Sequence, residues 1–219
     1  MHVLLTAGPT YEPIDPVRFI GNHSTGKMGY ALAAEFAARG WQVTLVSGPT
    51  NQAISHPRVM VVPVQTAQQM YEAAAAVAPA ADVWVFAAAV ADYRPRTVAA
   101  EKIKKRDDGS DETLTIELVK NVDIAATLGQ TKRAEQFSVG FALETQDELP
   151  NAQRKLRRKG FDLVVLNSLR DAGAGFRHDT NKITLVEEAG VTTFDLKPKT
   201  DVARDIVSAI LARLQPHVA

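Results

Sequence analysis

No cysteine occurs anywhere in the chain, which excludes disulfides, thiolate metal sites and a cysteine nucleophile and agrees with a cytoplasmic protein. An excess of charge of either sign is missing too. Lys plus Arg and Asp plus Glu are 25 each, so no global field draws the molecule to nucleic acid or to a membrane, and recognition must come from a local site. No apolar run approaches the length of a membrane span, and no basic region followed by a long apolar segment opens the chain. With the first strand expected at about His2 and no leader expected before it, the chain reads either as a stand-alone protein or as a piece excised from something longer. No internal repeat is visible, and low complexity is confined to the Ala-rich helix from Ala73 to Ala81.

What is present alternates between strand and helix. His2 to Ala7 reads as a short apolar strand. Lys27 to Ala38 reads as a helix with an Arg39-Gly40 stop, and Trp41 to Ser47 as the next strand. Val59 to Val64 is strand-like, and Thr66 caps an Ala-rich helix to about Val77. Asp82 to Ala88 is a buried strand, Thr113 to Val119 alternates with a period of two, and Asp123 to Leu128 starts a helix. Ser138 to Ala142 is another strand, Asp147 to Lys159 a strongly basic helix, and Asp162 to Asn167 a buried strand. Lys182 to Glu187 and Val191 to Leu196 flank a turn as a hairpin, and Thr200 or Asp201 caps a last helix. This pattern predicts an α/β, Rossmann-like three-layer sandwich whose mainly parallel sheet is covered on both faces, with the hairpin at one edge. With 219 residues the chain suits one domain, residues 1–219, carrying an excursion at about 93–119.

In such sheets ligands lie beyond the C-terminal ends of the strands, which directs attention to the stretch from Thr6 to Gly29. A strand, a long Pro-rich connection and a helix start follow one another there, and a helix start favours anions. Two phosphate signatures nearly fit. Gly21 to Lys27 reads G-x-x-x-x-G-K, but Met28 stands where a P-loop needs a Ser or Thr hydroxyl, and the glycines lie far from the strand. The dinucleotide fingerprint G-x-G-x-x-G is absent from the first turn, which argues against hydride transfer. A loop of structural glycines and prolines is the plain alternative. Against it, long connections in compact domains are usually functional, and this one gathers Asn22, His23, Ser24, Thr25 and Lys27.

Two basic regions admit two readings each. Between Tyr93 and Thr113, a basic cluster ending at Arg106 precedes an acidic one from Asp107 to Glu112, either as a solvated loop or as a flap over a polyanion. On the basic helix Lys155 and Lys159 share one face, and that face is either solvated or tracks a triphosphate.

Six motifs in register give the chain a family resemblance: Thr6–Gly29 (TAGPTYEPIDPVRFIGNHSTGKMG), Ala87–Pro95 (AAAVADYRP), Ala100–Lys105 (AEKIKK), Val119–Ile124 (VKNVDI), Val139–Thr145 (VGFALET) and the KxxxK of Lys155 to Lys159. The chain resembles phosphopantothenoylcysteine synthetase, in its CTP-using bacterial form usually fused behind a flavin-dependent decarboxylase. The resemblance implies a ligase of coenzyme A biosynthesis. The carboxylate of 4'-phosphopantothenate attacks the α-phosphate of CTP to give an acyl-cytidylate and pyrophosphate, and the amine of L-cysteine then displaces CMP. It implies that Asn22 holds the acyl-cytidylate and that Lys102, on the flap, serves its turnover. It implies CTP contacts from Ala87, Ala88, Ala89, Asp92, Lys102, Val122, Asp123, Ile124, Ala125, Phe141, Lys155 and Lys159, and substrate contacts from Asn22, His23, Ser24, Gly26 and Lys27. It further implies Mg2+ with the triphosphate, its ligands unassigned, and a homodimer formed through the Glu112 to Val119 strand and the flap base.

Val122 departs from the proline that relatives often carry, which adds an N–H without removing the carbonyl. No decarboxylase domain precedes Met1, so the chain is expected to catalyse the ligation alone, with any decarboxylase belonging to a parent chain. Taken singly, Asp92 also reads as a turn residue, Phe141 as a core aromatic and Asn22 as a cap. Two other classes compete with the ligase: an NAD(P)-dependent reductase, and a nucleotide-binding regulatory module without turnover.

Overall fold

The computed structural model describes residues 1–104, 113–144, 146–168 and 178–214. Strand β1 (His2–Ala7) leads into a ribbon of β2 (Tyr11–Pro13) with β3 (Phe19–Gly21), then α1 (Lys27–Ala38), β4 (Gln42–Ser47) and β5 (Val59–Pro63). Helix α2 (Ala67–Val77), a 3-10 turn at Ala78–Ala80 and β6 (Val83–Phe86) precede a second ribbon, β7 (Tyr93–Pro95) with β8 (Leu118–Lys120). Then come α3 (Ile124–Gly129), β9 (Phe137–Glu144), α4 (Glu148–Lys159) and β10 (Leu163–Ser168). The last described elements are β11 (Thr180–Asn181), the hairpin β12 (Ile183–Glu187) with β13 (Gly190–Thr193), β14 (Lys197–Pro198), which pairs with β11, and α5 (Lys199–Leu214).

The eight-stranded sheet runs in the order β13-β12-β10-β9-β6-β1-β4-β5. The six strands from β10 to β5 are parallel, and the β12–β13 hairpin closes one edge antiparallel, as expected. Strand order turns back at β1: the chain moves outward through β4 and β5, then returns to β6 on the other side of β1. That reversal opens a crevice at the C-terminal ends of β1 and β6.

Strict alternation sorts the strand side chains between two layers. Val3, Leu5 and Ala7 of β1 meet α1 and α5 through Leu32, Phe36, Ile206 and Ile210, whereas Leu4 faces Met70 and Ala74 of α2 on the other side. Likewise Leu163 and Val165 of β10 join the first layer, and Val164 and Leu166 pack on Leu156 of α4. Each such fully buried Leu or Ile contributes about 2 kcal/mol.

Local signals set the helix ends. Thr66 accepts from the Gln69 N–H while Gln69 Oε1 accepts from the Thr66 N–H, a closed capping box on α2. Asp123 caps α3 by accepting from the Ala126 N–H at 3.2 Å. Gly160, with φ of 63°, ends α4. The last helix starts earlier than expected, at Lys199, so Thr200 and Asp201 lie inside its first turn. The strand expected over Thr113 to Val119 is confined to Leu118–Lys120, because its partner β7 offers only three residues to pair with. The Arg106 end of the basic cluster and the acidic cluster lie outside the described residues.

The connection after β1 is more ordered than its prolines suggested. Tyr11 stacks on Phe19 with ring centroids 3.9 Å apart. Glu12, buried, accepts from the Ala67 N–H at 2.8 Å and so places a carboxylate on the first turn of α2. Buried Asp15 accepts from the N–H groups of Val17, Arg18 and Ile103 and from the Arg18 guanidinium, which holds its carboxyl well below the usual carboxylate range. The root of the excursion is thereby tied to the β2–β3 turn.

Close backbone approach fixes the rim of the crevice. A Cβ on Gly29 would lie 2.4 Å from Ala7 Cβ, and one on Gly48 would lie 1.7 Å from Pro9 O. The start of α1 therefore sits directly on the end of β1, with the turn after β4 wedged beside it. Gly48→Ala is expected to cost about 2–3 kcal/mol of overpacking. Gly40→Ala, at φ of 87° but with open space around its Cβ, should cost about 1 kcal/mol of backbone strain. Urea denaturation of both variants checks this, and equal losses would contradict the packing argument.

Candidate functional site

The segments after β1 and after β6 are stitched together across the switch point. Ala87 N–H donates to Thr6 O at 3.1 Å, Ala89 N–H to Gly8 O at 2.9 Å, and Ala91 N–H to Thr10 Oγ1 at 3.0 Å. Asn22 Nδ2 donates to Ala89 O at 2.9 Å, which ties the loop before α1 to the same seam. Asn121 fastens the next segment, donating from Nδ2 to Ala91 O at 2.8 Å and from its N–H to Asp92 O at 2.8 Å. None of these contacts involves a long flexible side chain, so the rim is set by backbone.

Two clefts open on this rim. The first, of about 220 Å³, is lined by Ala88, Val90, Ala91, Asp92, Asn121 to Ala125, Phe141, Lys155, Arg158, Lys159 and the apolar floor of Phe86 and Phe161. The second, of about 340 Å³, runs from Asn22 and Ser24 to Gly29 past Ala87 to Val90 and Phe141 to Leu143, and reaches Asn167, Asn181 and Lys199. Ala88, Val90, Phe141 and Lys155 line both. The two clefts are therefore neighbours with a wall in common.

The electrostatics are cationic and partly desolvated. Lys155 Nζ donates to the carbonyl of Phe141; burial, with the nearby Lys159 charge, pushes its ammonium down to about 8. Lys159 Nζ pairs with Asp123 Oδ1 at 2.9 Å. Burial raises the Asp123 carboxyl, but the bonds from Lys159 and the Ala126 N–H outweigh it, and the net shift is downward. On the second cleft, Lys27 Nζ pairs with Asp179 Oδ1 at 2.5 Å, and Lys199 donates to the His178 carbonyl, its ammonium lowered by burial and by Lys27. Among the described residues no Asp or Glu lines the second cleft.

Helix α1 presents its first N–H groups to that cleft with no acidic residue in its first turn. Its cap, Gly26, has φ of 75° and brings no side chain to satisfy them. Gly26 is required there for a second reason, since a Cβ would press on Thr50 Oγ1 at 3.0 Å, the hydroxyl that donates to Thr25 O at 2.7 Å. The geometry thus offers orphan donors and cations to an anion from two directions.

Most of the residues singled out in the sequence converge here. Ala88, Asp92, Val122, Asp123, Ile124, Ala125, Phe141, Lys155 and Lys159 line the first cleft. Asn22, Ser24, Gly26, Lys27, Ala87 and Ala89 line the second. His23 and Lys102 are exposed and line neither cleft; Lys102 stands next to Ile103, whose peptide is held by Asp15 and Arg18. Thr145 lies outside the described residues. Asn121, inside the Val119–Ile124 motif, and Arg158, on the basic helix, also line the first cleft although neither was assigned a contact; Asn167, which ends a buried strand, Asn181 and Lys199 line the second and were assigned none.

Residues 1–214 match the family described as the DNA/pantothenate metabolism flavoprotein C-terminal domain. The chain is 50% identical over 95% of its length to a cysteine/cysteine sulfinic acid decarboxylase from an unknown prokaryotic organism, covering 57% of that protein. It is 46% identical over 95% of its length to the coenzyme A biosynthesis bifunctional protein CoaBC of Vibrio vulnificus, covering 51% of it. The chain therefore spans about half the length of these relatives. Among solved structures, the C-terminal domain of a coenzyme A biosynthesis bifunctional protein CoaBC is similar, with a TM-score of 0.81 and 40% identity over 97% of this chain and 95% of that one.

An anion bound beside Lys155 favours its charged form, so the ligand should raise a titration that sits at about 8 in the free protein. Binding of inorganic triphosphate near pH 8.5 is expected to take up protons, and affinity to fall as pH rises through that range. Calorimetry in buffers of different ionisation heat reads the uptake. Lys155→Met should abolish it, and an unchanged uptake in that variant would place the titrating group elsewhere.

Proposed function

Because the chain belongs to the family of the DNA/pantothenate metabolism flavoprotein C-terminal domain, we propose that it is a phosphopantothenate–cysteine ligase of coenzyme A biosynthesis, working in the cytoplasm through an acyl-cytidylate. The observation that carries the reading is the pair of clefts meeting at Ala88, Val90, Phe141 and Lys155. A reaction that first joins two large anionic substrates needs two sites with a common wall at the reacting atoms.

In this reading CTP occupies the first cleft, with its phosphates toward Lys155 and Lys159, and 4'-phosphopantothenate occupies the second. A carboxylate oxygen attacks the α-phosphorus and the bond to the pyrophosphate oxygen breaks. The cationic wall offsets negative charge that grows in the transition state in a partly desolvated setting. Asn22 holds the acyl-cytidylate through an amide that both donates and accepts without net charge. The cysteine amine next attacks the acyl carbon, loses a proton, and the acyl C–O bond to CMP breaks. Lys102, on the excursion, neutralises phosphate charge during that turnover.

Magnesium fits this scheme as a companion of the phosphates. Among the described residues no group of three or more His, Cys, Asp or Glu is placed to hold a metal, and Mg2+ is commonly held by substrate phosphates, water and one or two carboxylates. Of the first cleft's carboxylates, Asp123 is engaged by Lys159, which leaves Asp92 as the one that would hold the ion. The ion would add charge neutralisation at the phosphates.

Homodimerisation belongs to the same proposal. Val17, Phe19, Tyr93, Val98, Leu114 and Leu118, which lie on the two ribbons and the excursion root, are large, exposed apolar side chains, and an exposed apolar surface is what a second copy would cover. Light scattering at micromolar concentration should give a dimer, and Phe19→Asp with Leu118→Asp a monomer. A monomeric parent protein would contradict it.

The decisive assay omits cysteine. Protein, CTP, magnesium and 4'-phosphopantothenate should release pyrophosphate and accumulate acyl-cytidylate, whereas a reductase or a passive nucleotide-binding module releases none. Asn22→Asp should impair retention of the intermediate. Lys102→Gln should leave the first step faster than the second, by about 100-fold relative to parent; parental overall turnover in that variant would overturn the role of Lys102. Equal use of ATP and CTP in a nucleotide panel would reject the CTP preference.

A further inference from the structure

The wall of the second cleft built by β10, β11 and the start of α5 has no role in the scheme above, yet it carries an unusual group. Asn181 is buried at 3% exposure, and among the described residues its Oδ1 is the buried side-chain acceptor left without a hydrogen-bond partner. Its Nδ2 donates to Asn167 Oδ1 at 2.9 Å, which commits the amide to presenting Oδ1 away from β10. Buried polar atoms are nearly always satisfied, so an orphan acceptor in the lining of a cleft marks where a ligand brings a hydrogen. Lys199, also buried, lines the same cleft and supplies a positive charge there.

Resting on the ligase reading, we propose that Asn181 and Lys199 form the amino-acid subsite: Asn181 Oδ1 accepts an N–H of the cysteine amine, and Lys199 attracts the cysteine carboxylate. The chemistry favours this occupant over a phosphate. Phosphate oxygens at neutral pH mostly lack a hydrogen for an acceptor, whereas an α-amino acid carries a donor and an anion on adjacent bonds to one carbon. A neutral amide is also the right acceptor for a nucleophile. A carboxylate would hold the amine as an ammonium without a lone pair, while three lysines lining the cleft, Lys27, Lys155 and Lys199, favour the neutral amine. One amine N–H stays on nitrogen as the hydrogen bond to Asn181 Oδ1, the lone pair forms the bond to the acyl carbon, the C–O bond to CMP breaks, and the other amine proton passes to water.

Cysteamine, which keeps the amine and lacks the carboxylate, separates the two contacts. Lys199→Gln should raise the KM for cysteine about tenfold or more, as expected for loss of a charge-assisted contact, and leave cysteamine use as in the parent, so that selectivity between them collapses. Asn181→Leu should raise KM for both amines alike, with thermal melting confirming a folded protein. If Lys199→Gln instead raises KM for CTP or for 4'-phosphopantothenate while cysteine-to-cysteamine selectivity holds, the subsite is overturned and the wall serves those substrates. Pyrophosphate release without any amine is recorded in parallel. Its absence in the parent protein overturns the ligase reading and the subsite with it, whereas its presence with unchanged selectivity overturns the subsite alone.

Discussion

The close backbone approach at the end of β1 is the constraint on which the rest depends. Only with glycine at positions 29 and 48 can the start of α1 and the turn after β4 press against Ala7 and Pro9. That packing aims the unpartnered N–H groups of α1 at the crevice beside β6. The seam of hydrogen bonds from Thr6, Gly8 and Thr10 to Ala87, Ala89 and Ala91 then fixes the adjoining segment without relying on mobile side chains. Binding geometry at the rim follows from backbone packing, and backbone packing from two missing Cβ atoms.

Charge is layered onto that frame from a separate part of the chain. Helix α4 has basic residues in its last turn and is held against the sheet mainly by Ala152 and Leu156. It carries Lys155 inward far enough that burial depresses its ammonium. A lysine in that state is easily recharged by an arriving anion, which makes its protonation a response to the ligand. Lys159, four residues on, is neutralised by Asp123 until something competes for it. The two lysines share one face yet are prepared differently, one by burial and one by an ion pair.

Sequence carried the fold well where signals are local. The α1 stop at Arg39-Gly40, the Thr66 cap, the Asp123 cap and the basic face of α4 each follow from residues within a turn of one another, and the β12–β13 edge hairpin followed from the turn at Gly190. The β2–β3 ribbon was not legible, because Pro13 and Pro16 read as loop and its stability comes from Glu12 on α2 and from the Asp15 turn. The site was legible where one motif supplies several residues, as at Asn22 to Lys27 and Asp123 to Ala125. Asn181 and Lys199 escaped notice because two-residue strands bring them together, and pairing that short leaves no periodic trace. Lys102 was read from its motif; in the fold it is exposed beside a well-anchored peptide and outside both clefts.

The central claim is that the two clefts act as one site with a common wall. A crystal structure of the protein grown with CTP, magnesium and 4'-phosphopantothenate, without cysteine, tests it most directly. The account predicts one continuous acyl-cytidylate spanning both clefts, its phosphorus beside Ala88, Phe141 and Lys155. Nucleotide bound at the opposite rim, near His2 and Asp82, or two ligands held apart with the shared wall empty, would contradict it.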